Sequence, residues 1–402
     1  MEFLPDDVIL YIAILSSVEN IPILCILNKR FNKLLFNDNY WRIKFIHDYG
    51  QMSEINISWK ISYLNYGKVI MFGERGLSQI GLNYISPRNT HILLADIQAK
   101  SISCGQDHTM IIDIKDNLWA LGNNNCGKLG LGDEYDKCLP KLLSNIKAKA
   151  VSCSINHTMI IDLDDNVLVF GSNEFGQLGI DGDSNIYIPT NIGIKAKQIA
   201  CGHEHSAIID LDDNVLAFGQ LGLCDALNGC EPTSFDMKAK YICCDDSRIL
   251  FIDLDDNVWM IGSNSFEELG LGNININIPT QIPELKAKSI SCGYFHTIIL
   301  DIDNNVWTSG YNSCGQLGIS HLKDIYIPVQ IPGIKARSIS CGSDHTVIID
   351  MDNNIWACGS NSNGQLGIFD NDKGFNKTVF TQIPDIKARV VSCGHDYTTI
   401  IL

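Results

Sequence analysis

Seven cysteines stand at positions 104, 153, 201, 244, 292, 341 and 393, and a histidine follows four residues after five of them, at 108, 157, 205, 296 and 345. Thiols and imidazoles at a fixed spacing raise two chemistries, metal ligation and thiol redox or nucleophilic work. Neither suits this pattern. No two cysteines form a Cys-x-x-Cys pair in a suitable setting. The nearest cluster, Cys201-Gly202-His203-Glu204-His205, adds only His203 to residues that recur elsewhere. A group needed once per repeat is more often structural than catalytic. The thiols are therefore expected to point inward as small apolar side chains, and the histidines to satisfy buried backbone groups. Six turns read Asp-x-Asp-x-Asn or close to it, such as Asp162, Asp164, Asn166 and Asp253, Asp255, Asn257. That resembles the start of a calcium loop, but the following Gly and the twelfth-place Glu are missing, and Val167 and Val258 begin a strand instead. Hairpin turns are the better reading. No Ser-His-Asp set, phosphate loop or carboxylate pair stands out. We expect no catalytic residue, no metal and no cofactor: a protein that is not an enzyme.

The spacings between the cysteines are 49, 48, 43, 48, 49 and 52. Each is embedded in a phrase such as Ser340-Cys341-Gly342-Ser343-Asp344-His345-Thr346. An acidic turn, a short apolar run ending in Gly (Val306-Trp307-Thr308-Ser309-Gly310), a phrase such as Cys314-Gly315-Gln316-Leu317-Gly318, and a Pro-containing stretch to Lys-Ala-Lys complete the cycle. A period of this size signals a solenoid, array or propeller. The runs flanking the acidic turn read as a hairpin, with Asn117, 166, 214, 257, 305 and 354 expected to take the positive φ there. Four short strands per cycle fit a propeller blade.

The chain stops half-way through a cycle, at Thr398-Thr399-Ile400-Ile401-Leu402. The missing half lies at the other end, in Val69-Ile70-Met71-Phe72-Gly73 and residues 77–81. Six cycles and two halves predict seven blades over about residues 68–402. Pairing of N- and C-terminal strands in one blade would remove the exposed edges of an open array.

Composition narrows the function classes. With 46 Asp and Glu against 30 Lys and Arg, the net charge is −16. Such a surface repels phosphate backbones, so neither nucleic acid nor an anionic membrane is an expected partner. No apolar run approaches the ~20 residues of a membrane span. The start, Met1-Glu2-Phe3-Leu4-Pro5-Asp6-Asp7, is acidic where a secretory signal is basic. A cytoplasmic or nuclear location follows, and scattered cysteines do not suggest a disulfide framework.

The phrases Cys-Gly-x-x-His-Thr, Val-Trp-x-x-Gly and Gly-Gln-Leu-Gly-Ile resemble the repeats of the regulator of chromosome condensation (RCC1) family, over about five-sixths of the chain. The resemblance implies a mainly β fold, a seven-bladed β-propeller of RCC1-like repeats. It says less about function, since one fold hosts many activities.

Residues 1–50 carry no repeat phrase and read as helices, with 51–67 a linker or helix. Leu4, Pro5, Val8, Ile12, Leu15, Leu24, Leu27, Phe31 and Trp41 follow an order that resembles an F-box, with Lys29-Arg30-Phe31 and Trp41 in suitable places. Pro22 and Ile21 depart mildly from that pattern. The resemblance implies a small N-terminal α-helical segment whose apolar positions dock on a Skp1-like adaptor of a cullin ubiquitin ligase. The alternative is a helical cap on the propeller.

Departures from the repeat point to a specialised surface. The spacing of 43 reflects a five-residue loss, Gly171 to Gly179 shrinking to Gly219-Gln220-Leu221-Gly222. The next repeat replaces Gly-x-x-His-Thr by Asp245-Asp246-Ser247-Arg248-Ile249, while the last cycle gains residues near 369–380. Asp245, Asp246 and Arg248 are the candidate target-binding residues. The expected function is a non-enzymatic adaptor, an F-box subunit whose propeller binds the ubiquitination target. The alternatives are an RCC1-like guanine-nucleotide exchange factor, for which no protruding insertion or basic tail is found, or a plain scaffold. Abundant Ile and Asn suggest AT-rich coding, and an F-box a eukaryotic host or a virus within one.

Overall fold

The computed structural model describes residues 13–14, 38–49, 65–73, 91–94, 97–221, 228–263, 276–368 and 376–402. The chain divides into two compact units, Met1–Tyr66 and Gly67–Leu402.

In the first unit, the helix Asp38–Tyr49 buries Tyr40, Trp41 and Phe45. Tyr40 and Trp41 meet edge to face at 5.0 Å. Lys44 is also buried, and its Nζ donates to the Ile14 carbonyl at 2.8 Å and pairs with Asp48 at 3.0 Å. Leu4, Pro5, Val8, Ile12, Leu15, Leu24, Leu27 and Phe31 lie outside the described residues.

The second unit is built from seven four-stranded antiparallel sheets, the blades. The first comprises Ala99–Cys104, His108–Asp113, Asn117–Gly122 and the start of Lys137–Cys153. Long strands such as Lys137–Cys153 and Ile325–Cys341 serve twice. Their first half is the exposed outer strand of one blade and their second half the inner strand of the next. The seventh blade draws on both chain ends. Tyr397–Ile401 pairs with Val69–Gly73, with Val69 opposite Ile401 and Gly73 opposite Tyr397, and Ile92–Leu94 and Val390–Cys393 flank them. Residues 77–81, expected beside this blade, lie outside the described residues.

Burial explains the sequence pattern. The second strand of each blade, such as His108–Asp113, is buried along its length, save for the closing Asp in four blades, because neighbouring blades cover both faces. The core therefore lies between blades. Met110, Ile112 and Leu118 of the first pack against Ile160 and Phe170 of the second. Each such side chain contributes about 1.5–3 kcal/mol. The seventh blade packs on the sixth through Phe72, Ile400 and Val391, and on the first through Met71, Tyr397 and Ile401.

The acidic turns hold the hairpins. Asp162 Oδ1 accepts the backbone N–H groups of Asp164 and Asn166 at 2.9 and 2.8 Å, and Oδ2 accepts the Asn166 side-chain amide at 2.8 Å. The carboxylate oxygens a calcium ion would need are already taken. Positive φ falls one residue earlier than the sequence suggested, on Asp116, Asp165, Asp213, Asp256, Asn304 and Asn353 rather than on Asn117, 166, 214, 257, 305 and 354. The reason is that Asn166 already begins the strand, paired with Lys195, and its amide is committed to Asp162. The Lys-Ala-Lys link buries its Ala and aims its two lysines at the acidic turns of two successive blades. Lys195 Nζ donates to the Asp164 carbonyl at 2.8 Å and Lys197 Nζ pairs with Asp213 at 2.5 Å.

Candidate functional site

The inner strands face one another around the axis, and side chains of the repeat phrase bind each blade to the next. At five interfaces a Ser preceding one Cys accepts the N–H of the next Cys. The pairs are Ser103 with Cys153, Ser152 with Cys201, Ser291 with Cys341, Ser340 with Cys393 and Ser392 with Cys104, at 2.9–3.0 Å. The thiol of that Cys donates to the carbonyl of the same Ser, at 3.2 Å for Cys201 and 3.4 Å for Cys104. The thiols are thus directional donors between blades, not merely small apolar fillers. Burial pushes Cys201 and Cys393 up to about 12, so they remain protonated.

The histidines form a second tier. His108, His157, His296 and His345 place Nε2 2.8–3.0 Å from the hydroxyls of Thr158, Ser206, Thr346 and Thr398 in the following blade. Those hydroxyls give their protons to the carbonyls of Lys128, Gln177, Gln316 and Gln365. They must accept from the ring, which assigns the proton to Nε2. Only His205 takes a backbone partner, the Arg248 carbonyl at 3.2 Å, so the expected backbone role is mostly a hydroxyl role. Burial holds these imidazoles neutral, His157 and His296 at about 3 and His205 and His345 at about 4.

The residue after each Cys is matched to this ring. A Cβ on Gly293 or Gly342 would lie 2.1 Å from Cε1 of His296 or His345, so any larger residue there must displace the ring. Where the second blade has Ser154 instead, its hydroxyl bonds His157 Nδ1 at 2.8 Å. Where the fourth blade has Asp245, the ring is replaced by Arg248, whose Nε donates to Asp245 Oδ2 at 2.6 Å. Arg248 is 1 % exposed and Asp245 8 %. Burial lifts the Asp245 carboxyl above its ordinary range even beside that guanidinium.

The interfaces on either side of this blade lack the serine bonds, having Ala200 in the third blade and Cys243 in the fourth where serines stand elsewhere. Two residues upstream of each gap a longer side chain crosses instead. Gln198 accepts from the Ile242 N–H at 3.1 Å, and Tyr241 donates its hydroxyl to the Ile290 carbonyl at 2.9 Å.

The position two after each Cys is free of these duties and faces the axial mouth, a cavity of about 130 Å³. It reads Gln106, Ile155, His203, Asp246, Tyr294, Ser343 and His395. His203 Nδ1 lies 2.9 Å from Asp246, and that hydrogen bond raises the imidazole above its usual range. Tyr294 meets the His395 ring edge to face at 5.7 Å, and His395 Nδ1 lies 2.9 Å from Asp396. Burial and the Asp396 charge together raise the Asp344 carboxyl. A half-open mouth with aromatic faces, two imidazole–carboxylate pairs and a semi-buried acid can hydrogen-bond a polar or cationic partner group.

Of the candidate target-binding trio, Asp245 and Asp246 line this mouth, while the buried Arg248 pairs with the Asp245 carboxylate. Sequence reasoning did not single out Tyr294 or His395, and treated His203 only as an extra ligand. The signal that would have found them is a column of the repeat that carries six residue types in seven blades.

A regulator of chromosome condensation (RCC1) repeat model matches residues 115–161, 164–209, 255–300, 303–349 and 352–401, and a second model of that repeat matches 99–128, 148–177, 287–316 and 336–365. Residues 210–254, which hold the irregular blade's Arg248, fall in neither. Similar solved structures include Prp20p from Saccharomyces cerevisiae, with TM-score 0.74, 19 % identity, and coverage of 87 % of this chain and 95 % of that one. Human WBSCR16 gives TM-score 0.73 and 19 % identity, covering 83 % of this chain and 99 % of that one. At these identities the likeness concerns the fold. The human X-linked retinitis pigmentosa GTPase regulator is 36 % identical over 73 residues, 17 % of this chain, and the match spans 7 % of that protein's length. The repeat models cover more than half of the sequence and fall on the blades described above, so the chain belongs to the regulator of chromosome condensation (RCC1) repeat family.

Proposed function

We propose that the chain is a non-enzymatic protein-interaction adaptor of the cytoplasm or nucleus, whose propeller holds a protein target at the axial mouth. The observation that carries this reading is the contrast within one phrase. In most blades the Cys, the residue after it and the residue at Cys+4 keep one structural role, while the residue at Cys+2 takes six types across the seven, His alone occurring twice. A rigid frame that presents variable side chains suits recognition. Residues 1–50 then dock the adaptor on a Skp1-like protein of a cullin ligase. Support for this docking comes from the order Leu4, Pro5, Val8, Ile12, Leu15, Leu24, Leu27, Phe31, Trp41. The ligase chemistry belongs to the other subunits.

Co-precipitation of the full chain from a eukaryotic lysate tests both halves. Leu4→Ala/Pro5→Ala is expected to lose Skp1 and keep the target. His203→Ala/Tyr294→Ala/His395→Ala is expected to do the reverse. Absence of Skp1 binding at micromolar concentration would sink the docking half. One finding favours a second reading, guanine-nucleotide exchange on a small GTPase. The similar Prp20p structure is described together with that protein's binding to Gsp1p and histones. A nucleotide-release assay across small GTPases separates the two, since an adaptor leaves release rates unchanged. With a net charge of −16, direct contact with nucleic acid or membrane is not part of either reading, and among the described residues no helix is long and apolar enough to cross a membrane.

A further inference from the structure

The interface between the fourth and fifth blades carries a substitution with its own chemistry. At five interfaces the residue preceding the inner-strand Cys is Ser, and its hydroxyl sits against the N–H of the next blade's Cys. In the fourth blade that residue is Cys243, and the Cys it faces is Cys292. The side chain that elsewhere accepts a backbone N–H is here a thiol; Cys243 is the neighbour that most strongly perturbs the Cys292 thiol, and its own Sγ also approaches the Cys244 carbonyl at 3.8 Å. Both are free thiols and only partly buried, and Cys292 lines the axial cavity, so a small oxidant can reach the pair from the mouth. The other repeat cysteines lack this arrangement. Cys153, Cys201, Cys341, Cys393 and Cys104 face serines, and Cys244 faces Ala200, whose carbonyl its thiol approaches at 3.6 Å.

We propose that Cys243 and Cys292 are a redox modification site, closing to a disulfide that staples the fourth blade to the fifth. With hydrogen peroxide as oxidant the step balances. One thiol attacks the peroxide, the O–O bond breaks, and a sulfenic acid and one water form. The second thiol then displaces hydroxide from that sulfur, the S–S bond forms, and a second water leaves. The staple replaces the serine bond that this interface lacks, beside the shortened third blade. The neighbouring Cys243 thiol and burial together hold the Cys292 thiol well above its ordinary range, so closure is slow at neutral pH and quickens as pH rises.

The test uses the full chain, purified reduced, exposed to hydrogen peroxide, alkylated under denaturing conditions and digested with trypsin without reduction. The expected product joins peptide 241–248 to peptide 289–323, two hydrogens lighter than their sum. It disappears in Cys243→Ser and persists in Cys244→Ser. Cys243→Ser installs the residue of the five ordinary interfaces, so the fold is expected to survive. The oxidised parent is expected to unfold roughly 5 °C above its reduced form, a shift absent from Cys243→Ser. Two results overturn the proposal: no joined peptide at a peroxide dose that oxidises other thiols of the chain, or a joined peptide that persists in Cys243→Ser.

Discussion

The fourth blade and its six companions meet one requirement with different chemistry. Each inner strand must be tied to its neighbours and each second strand must fill the gap below the mouth. Five interfaces do this with a Ser–Cys bond, joined in four of them by a neutral histidine donating to a hydroxyl and in the fifth by the Tyr397 hydroxyl beside Thr109. The fourth blade instead buries an Asp245–Arg248 ion pair and borrows Gln198 and Tyr241 for the crossing bonds. Neutral groups in a dry interior cost little when their partners are in place, whereas a buried ion pair must recover a large desolvation penalty. The ordinary interfaces are thus sensitive to acid, and the irregular one to loss of a partner.

Acid should expose that difference most strongly. Burial lowers the folded-state values of His108, His157, His205, His296 and His345 below 6.5, with the Lys128 charge adding to the effect at His108. The unfolded chain then binds more protons than the folded one between about 6.5 and those lowered values. Stability is full above pH 6.5 and falls as the pH drops toward 4, by up to about 1.4 kcal/mol per histidine per pH unit. Asp245 opposes this slightly, since its raised value favours the protonated folded form. Thermal midpoints measured from pH 8 to pH 4.5 should be flat and then decline steeply. A midpoint unchanged at pH 5 would contradict the neutral ring of imidazoles. Asp245→Gly/Arg248→His, which installs the ordinary pair, should steepen the decline by one more titrating group.

Next in size is the loss of one ion partner. Arg248→Ala leaves the Asp245 carboxylate buried without its counter-charge, held only by the backbone N–H groups of residues 247 and 248, and is expected to cost about 3–5 kcal/mol. The double change to Gly and His should be near neutral by comparison, which chemical denaturation can measure. Equal losses in both variants would mean that the fourth blade needs the charge itself.

A smaller effect is expected at the glycines. Gly293→Ala sets a methyl group 2.1 Å from the His296 ring, and overpacking of this kind costs about 1–3 kcal/mol. Ser154→Gly goes the other way. It removes the hydroxyl that bonds the His157 ring and backbone, the ring contact at 2.8 Å being the shortest, and should cost about 1 kcal/mol. A larger loss from Ser154→Gly than from Gly293→Ala would reverse the proposed matching of ring and neighbour.

Periodicity made the blades legible because every blade repeats the same buried strand and the same Asp-anchored turn. The pairing of Val69–Gly73 with Tyr397–Ile401 was legible for a related reason: two half-phrases at opposite ends complete one another. Three features were not legible. Positive φ was placed on Asn166 because Asp and Asn both tolerate it, and only the amide bond to Asp162 decides between neighbours. Gln198 and Tyr241 act on residues 44 and 49 positions downstream, a relation that a linear reading takes for drift. Arg248 read as an exposed candidate because a charge out of pattern suggests a surface. Its partner Asp245 stands where glycine usually does, and the two make sense only as a pair in space.

The smallest effect belongs to the acidic turns, where the formal charge of the chain is concentrated. Lys197 and Asp213 pair at 2.5 Å, but their side chains remain 48 % and 33 % exposed, so water and salt screen them. Lys197→Ala is expected to cost no more than about 0.5 kcal/mol, and less in 0.5 M salt. Lys195, which donates to the Asp164 carbonyl, is exposed as well and should behave alike. Asp162 is different, because it accepts two backbone N–H groups and the Asn166 amide. Burial pushes its carboxyl up, yet those bonds together hold it below the ordinary range. Asp162→Ala should therefore cost several times more than Lys197→Ala when both are measured by urea denaturation at neutral pH. If the two losses were equal, the hairpins would be held by the ion pairs of the links rather than by the hydrogen bonds inside the turns.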